Sequence, residues 1–344
     1  MAPSFDFKKR LGSGHFGEVW LAVDTGLNYE CALKCIPPDK IINKDNFYQE
    51  AQILKAAEHP NIVKVTETGE LEDKRIYVVM EYLQQGSLED EASGGYVYLS
   101  RARRLMVDVL RGLEYAHSKD IIHRDIKPAN IMIGNASEGK LSDFGLALQD
   151  LASIDLTSVK KYQYLLHLAP EVRKFNDYTK LSDIYACGMT MYRLVNGDSF
   201  LPPISPRDAR NLAILGKFPD RNKYRDFITK QLKALINRAL SVNPNERYQS
   251  AVEMRHALEQ IAIHADWEEV KTVSGKQWAC ERKGISYMLQ KEKRCNGTWT
   301  VSFSKGKDKS KLRRDTTRCS SSLLSKDATK MAQKVLQDLV KTAF

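Results

Sequence analysis

Asp125, Lys127, Asn130 and Asp143 stand in two short runs, His123-Arg124-Asp125-Ile126-Lys127-Pro128-Ala129-Asn130 and Ser142-Asp143-Phe144-Gly145. These residue types suit phosphoryl transfer, a reaction that needs positioning and charge neutralisation more than covalent help. One carboxylate can orient an acceptor hydroxyl, and the oxygens of a second carboxylate and an amide suit Mg²⁺. Upstream, Gly12-Ser13-Gly14-His15-Phe16-Gly17-Glu18-Val19 puts glycines where backbone amides can approach phosphate oxygens closely. Taken alone this run reads equally well as a glycine-rich β-turn without a ligand. Lys34 follows one strand later on the same face as Ala32, and Glu50 sits on the next helical segment, so a Lys34–Glu50 charge pair can hold the ammonium against nucleotide phosphates.

The elements around these residues follow from periodicity. Phe5 to Lys34 alternates apolar and polar residues in two runs broken by Gly12, Gly14 and Gly17, and a third run covers Tyr29 to Ile36, which predicts an antiparallel sheet. Asp45 to Ala57 has helical spacing, and Ile62 to Val65 and Ile76 to Met80 read as further strands. Past Gly86 the pattern turns helical, with helices expected over Leu99 to Ser118, Leu181 to Asn196, Phe227 to Leu240 and Ser250 to Ile263. Cys31 and Cys35 share a strand face with Leu33, about 13 Å apart in an extended chain, too far to bridge, and are expected in a core.

At 344 residues the chain exceeds the about 250–300 residues at which a single core stops growing. The six cysteines show no zinc or disulfide spacing, which fits a reduced, cytoplasmic setting. No run of apolar residues long enough for a secretion signal or a membrane span occurs, so no membrane partner is expected. The net charge of +10 is uneven: from Asp266 onward 18 Lys+Arg face 9 Asp+Glu, leaving only +1 for everything before. Such asymmetry points to an anionic partner for the tail, although solubility alone would also account for it.

With the glycine run, Lys34, Glu50, Val79-Met80-Glu81-Tyr82-Leu83, the two runs around Asp125 and Asp143, Ala169-Pro170-Glu171, Asp183-Ile184-Tyr185 and Arg247 all in order, the chain over about residues 5–264 resembles eukaryotic-like serine/threonine protein kinases. The resemblance implies an α+β, bilobal protein kinase fold and a requirement for ATP and Mg²⁺. It implies that Asp125 is the catalytic base, Asn130 and Asp143 hold the metal, and Lys34 meets the α/β-phosphates. It further implies that Leu11 helps bind ATP, that Gly12, Gly14 and Gly17 cover the phosphates, that Val19, Ala32 and Met132 enclose the base, and that Glu81 and Leu83 offer it backbone groups. Lys127 resembles the serine/threonine branch, and a charge there can stabilise the migrating phosphoryl group. Glu171 and Arg247 are expected as a buried ion pair.

One stretch departs from the family: Gln163 and Tyr164 occupy the positions of a usual Gly-Thr pair before Ala169-Pro170-Glu171. This places acceptor choice in question and leaves a catalytically weak scaffold as the alternative reading. Arg124 resembles kinases whose activation segment is ordered by phosphorylation, which makes Ser153, Thr157, Ser158, Tyr162 and Tyr164 candidate autophosphorylation sites.

After Ile263 the composition changes. Gln277 to Glu281, Ile285 to Lys291, Thr298 to Ser304 and Leu312 to Ser320 are strand-like, and a helix with the stripe Ala328, Met331, Ala332, Val335, Leu336 and Leu339 follows Ser325. Lys305, Lys307, Lys309, Lys311, Arg313, Arg314 and Arg318 outnumber Asp308 and Asp315 in the last loop, a candidate nucleic-acid surface. Strands followed by a lysine-bearing helix faintly resemble the second half of double-stranded-RNA-binding domains, and a three-strand-plus-helix DNA binder has the same pattern. Tyr287, Trp299 and Phe303 in this stretch read more readily as core. The expected organisation is a small lobe over 1–83, a large lobe over 84–265 and a basic α+β accessory domain of three to four strands and a helix over 266–344.

Overall fold

In a computed structural model, residues 5–14, 17–38, 58–144 and 166–342, with Lys55, are described. Strands β1 (Phe5–Gly14), β2 (Gly17–Asp24), β3 (Tyr29–Ile36), β4 (Val65–Glu70) and β5 (Ile76–Glu81) form one antiparallel sheet in the order β1-β2-β3-β5-β4. Strict alternation on β3 divides its side chains between two cores. Cys31, Leu33 and Cys35 pack on one face with Ala22, Tyr77 and Val79, as their spacing predicts, whereas Ala32 joins the main core on the other. Gly17 is needed at the β1–β2 turn: its φ is +130°, and a Cβ there would lie 2.1 Å from the Cys35 carbonyl oxygen.

The large lobe contains helices α1 (Glu89–Gly94), α2 (Leu99–Ser118), α3 (Pro170–Phe175), α4 (Lys180–Asn196), α5 (Pro206–Ile214), α6 (Lys230–Ala239) and α7 (Ala251–Glu259), with a short β6 (Ile131–Ile133) and β7 (Gly139–Leu141) hairpin. Helix α4 is buried from Ser182 to Asn196 on every side, as expected of a helix at the centre of a lobe. Its start is fixed by a capping box between Thr179 and Ser182, and α6 and α7 start at the caps Thr229 and Ser250. These caps explain why α6 begins three residues later than the hydrophobic run that announced it.

Ile62 to Val65 does not form the strand expected of it. Val63 N–H donates to Leu141 O (2.8 Å) and Leu141 N–H to Asn61 O (2.9 Å), so this apolar run bridges to the large lobe's hairpin, and β4 begins only at Val65. β-propensity was satisfied there, but by a different partner.

The accessory domain has more strands than the sequence announced. β8 (Glu268–Lys271), β9 (Gly275–Arg282), β10 (Ile285–Lys293), β11 (Trp299–Gly306), β12 (Arg313–Arg314) and β13 (Ser320–Leu323) make a six-stranded sheet, with α8 (Ser325–Lys341) packed against it. The expected single strand over Leu312 to Ser320 is broken. Thr317 Oγ1 donates to Asp315 Oδ1 (2.6 Å) and Arg318 N–H to Asp315 O, winding Thr316–Arg318 into a 3₁₀ turn. Tyr287 and Phe303 are buried and Trp299 is partly buried against the same core, so these aromatics are packing residues.

This domain shares its core with the large lobe. Tyr96 Oη donates to Trp267 O (2.7 Å) and accepts from Glu269 N–H (2.8 Å), and Arg225 pairs with Glu269 (2.9 Å) while its guanidinium lies 4.1 Å from the Tyr96 ring centre. Gln333 and Gln337 of α8 donate to Asp226 at 2.9 and 3.1 Å. Among the described residues no helix is long and apolar enough to cross a membrane.

Candidate active site

The site lies where the β1–β5 sheet meets the β6–β7 hairpin. Lys34 reaches it from β3 and is 9% exposed, and its Nζ donates to Asp143 Oδ1 at 2.8 Å. Val65, Val78, Met80 and Leu141 form apolar walls of the cavity around this pair. Burial works against the charge on Asp143, but the Lys34 ammonium, with the Lys127 ammonium farther off, holds its carboxyl below the usual carboxylate range. Glu50, expected beside Lys34, lies outside the described residues, as do Ser153, Thr157, Ser158, Tyr162, Gln163 and Tyr164.

Asp125 is organised differently. Its Oδ2 accepts from Lys127 Nζ (2.7 Å) and Asn130 Nδ2 (2.8 Å), while its Oδ1 is buried and accepts no hydrogen bond among the described residues. Asn130 Nδ2 also donates to Asp125 O (2.8 Å), which commits both amide hydrogens and leaves the amide oxygen for another partner. Ser142 N–H donates to Asn130 O (3.0 Å), tying the residue before Asp143 to the loop that bears Asp125.

Three histidine and aspartate contacts hold this loop. Asp183, buried on α4, accepts from His123 N–H (2.8 Å) and Arg124 N–H (2.9 Å) and lies 2.9 Å from His117 Nε2. Asp143 and Arg124 both have left-handed backbone, at φ +54° and +70°, conformations that non-glycine residues hold only when their surroundings enforce them. The His123 ring is fully buried, 3.0 Å from Ser142 O and 4.4 Å from the Phe144 ring centre, and burial pushes its pKa down, so the imidazole is neutral. Its role is to brace the loop.

Around the cavity, Val19 packs on the main core, Ala32 sits opposite Met80 across β3 and β5, and Met132 lies on β6 opposite Lys140. Leu11 is 40% exposed on β1, and the space a side chain at Gly12 would fill is open. Of the backbone groups expected to meet a base, the Glu81 amide donates to Lys64 O (3.0 Å) and the Leu83 carbonyl accepts from Gly86 N–H (3.1 Å), which leaves the Leu83 amide uncommitted by these turns. The Glu81 side chain has a part no motif announced: it accepts from Lys140 Nζ (2.7 Å) and from Lys64 N–H (2.8 Å), joining the segment between the lobes to β7. A lysine eight residues after Met132 carries no local signature of that contact.

Residues fit for a cation are Asn130, through its amide oxygen, and Asp143. Among the described residues no group of three or more His, Cys, Asp or Glu can hold a metal unaided. Mg²⁺ is bound by one or two side chains together with substrate phosphates.

Residues 5–260 match the protein kinase domain family. The chain belongs to that family, within its eukaryotic-like serine/threonine branch. It is 33% identical over 74% of its length to the serine/threonine-protein kinase PknB of Mycobacterium leprae and 31% identical over 74% to the serine/threonine-protein kinase PrkC of Bacillus subtilis. It is also 28% identical over 84% to the calcium/calmodulin-dependent protein kinase type II alpha chain of Drosophila melanogaster. The matched region spans 42%, 40% and 52% of those three proteins, respectively.

Proposed function

We propose that the chain is an ATP- and Mg²⁺-dependent serine/threonine protein kinase acting in the cytoplasm on protein hydroxyls. The observation that carries this reading is the Asp125 carboxylate, with one oxygen held by Lys127 and Asn130 and the other buried without a hydrogen bond among the described residues. Asp125 Oδ1 accepts the proton of a serine or threonine hydroxyl as that oxygen bonds to the γ-phosphorus of ATP. The bond from γ-phosphorus to the bridging oxygen breaks, and ADP leaves with the electron pair. Lys127, fixed against Asp125, offers positive charge to the phosphoryl oxygens, and Lys34 does so for the α/β-phosphates. Asn130 and Asp143 would hold Mg²⁺, which would supply positive charge to the phosphates. The Leu83 amide and the faces of Val19, Ala32 and Met132 hold the base.

The direct test is transfer of labelled phosphate from ATP by wild type and Asp125→Ala. Loss of a general base costs about 10²–10⁴-fold, so transfer by the variant within about tenfold of wild type would reject the assignment. Retention of Lys34, Asp125, Asn130 and Asp143 weighs against the scaffold reading that Gln163 and Tyr164 motivate. Autophosphorylation at Ser153, Thr157, Ser158, Tyr162 or Tyr164 is part of the proposal. Mass spectrometry after incubation with ATP and Mg²⁺ should find phosphate between Asp143 and Glu171, and its absence from that segment removes this part.

Lys140→Met tests whether the Glu81 contact positions the base. The expected result is a KM for ATP raised about three- to tenfold with kcat changed less than about twofold, the pattern of lost uniform binding. A fall in kcat at constant KM would instead place Lys140 in the transfer step. We further propose that the basic accessory domain engages an anionic partner, through exposed Lys305, Lys307, Lys309, Lys311, Arg313 and Arg314. Arg318 is the exception among the seven, since its guanidinium stacks 5.3 Å from the Phe303 ring centre.

A further inference from the structure

The accessory sheet has two unlike faces. Trp278, Leu289, Val301 and Phe303 point toward α8 and are buried. The opposite face, by the period-2 alternation of β9–β11, carries Gln277, Ala279, Met288, Gln290, Thr300, Ser302 and Ser304, with Glu281, Ser286 and Glu292 at the strand ends. Gln290 stands opposite both Gln277 and Ser302 in register, and its side chain bonds to theirs, Nε2 to Gln277 Oε1 at 3.2 Å and Oε1 from Ser302 Oγ at 3.5 Å. The centre of this face is therefore a row of amides and hydroxyls without charge.

We propose that this face is a docking surface for B-form duplex DNA, with Gln277, Gln290 and Ser302 toward base edges in the major groove and the β11–β12 loop on the phosphates. The proposal deepens the reading of this domain as the holder of an anionic partner and rests on it. Three observations carry it.

The first is chemistry: Gln pairs with adenine N6/N7, Ser and Thr bond to either base edge, and an apolar group such as Met288 suits a thymine methyl. The second is size. The long strands β9, β10 and β11 are flanked by β8 and β12 of only four and two residues, so the strands at the centre of the face are the ones that can approach a major groove, which admits an inserted β element. The A-form RNA major groove is too deep and narrow for such an element. The third is charge complementarity. Lys307, Lys309, Lys311, Arg313 and Arg314 are exposed on and beside the β11–β12 connection, and Arg314 is paired with Ser304 at the edge of this face.

Carboxylates occur only at the perimeter. Glu281 is paired with Lys309 (3.0 Å), Glu292 lies 3.5 Å from Ser274 Oγ, and Glu268 stands on the edge strand β8.

The test uses the full chain and a labelled duplex DNA pool with a randomised centre, followed by anisotropy on the selected sequence. If about four phosphates are neutralised, affinity should fall on the order of 100-fold between about 50 and about 200 mM salt. Lys307→Gln with Arg314→Gln should flatten the salt slope by about two. Gln290→Ala should keep the slope, lose about tenfold or more on the selected site, and relax the selected sequence. No binding to duplex DNA at about 50 mM salt, no enriched sequence, or an unchanged motif and affinity in Gln290→Ala each overturns the proposal, as does equal affinity for an RNA duplex. Phosphate transfer measured on the same preparations separates the two readings. Transfer without DNA binding rejects the docking surface alone, and DNA binding without transfer rejects the kinase reading alone.

Discussion

Asp143→Ala is expected to lower phosphate transfer from ATP by about 10³-fold or more while leaving the fold intact. Stabilising charge through a bound metal is worth several kcal/mol, and each 1.36 kcal/mol is about tenfold in rate. Asp143 supplies one of only two side chains fit to hold Mg²⁺ in the described site. Its side chain keeps 30% of its exposure, and its ion-pair partner is Lys34, so truncation opens the site without emptying a core. The Lys34 ammonium, 9% exposed, then loses its partner, and water can enter the space the carboxylate leaves. Thermal unfolding should shift by no more than a few degrees, the size of a surface change of about 1 kcal/mol. Transfer within about tenfold of wild type would sink the metal assignment. A collapse of the melting transition would show Asp143 to be structural first. Asp143→Asn sharpens the test, because it keeps the volume and removes the charge that the site maintains against burial.

The second large effect belongs to stability. Arg247 is completely buried and spends all five of its N–H donors. Nη1 and Nη2 donate to the two oxygens of Glu171 at 2.6 and 2.7 Å, and the remainder go to the carbonyls of Leu181, Ser241 and Val242 at 2.8, 2.8 and 3.2 Å. Arg247→Met removes the partner of a carboxylate whose side chain is 12% exposed and strands three carbonyls. Breaking such a pair costs about 3–5 kcal/mol, a large share of the about 5–15 kcal/mol that holds a domain together. The melting temperature should fall on the order of 10 °C. Adding Glu171→Gln to Arg247→Met should recover part of the loss, because the uncompensated charge is then gone. An Arg247→Met protein as stable as wild type would remove the pair from the structural argument, and a double variant no better than the single would trace the cost to the stranded carbonyls.

Because Glu171 opens α3 and Leu181 lies on α4, this pair also locks the end of the segment that follows Asp143 onto the large lobe. Loss of stability and loss of transfer are therefore expected together in Arg247→Met, unlike in Asp143→Ala. The contrast between the two variants separates a residue that does chemistry from one that holds chemistry in place.

Much of this was legible from the chain alone. Strand β3 and helix α2 have the bounds their periodicity predicts, because a half-buried strand and a helix with one apolar stripe write their environment into a short window of sequence. The residue types around Asp125 and Asp143 named their chemistry for the same reason: the loop that carries Asp125, Lys127 and Asn130 is local, and Lys127 and Asn130 reach Asp125 across two and five residues.

What the chain alone did not contain is pairing over distance. Ile62 and Val63 look like a strand and are apolar enough for one, yet their partner is Leu141, a choice that no window around residue 62 encodes. The accessory domain was read as three to four strands because β8, β12 and β13 are short and polar, and they exist as strands by pairing at the edges of longer neighbours. The salt link from Glu81 to Lys140, the clamp of Asp183 on the His123 and Arg124 amides, and the shared core that fixes the accessory domain to the large lobe are all contacts between segments far apart in sequence. Sequence by itself determined which groups are available for phosphoryl transfer, since that depends on residue type and local spacing. Tertiary structure decided which oxygen of Asp125 is left without a partner among the described residues, which face of the accessory sheet α8 leaves uncovered and which charges are spent in the interior, since each depends on what the rest of the chain brings against it.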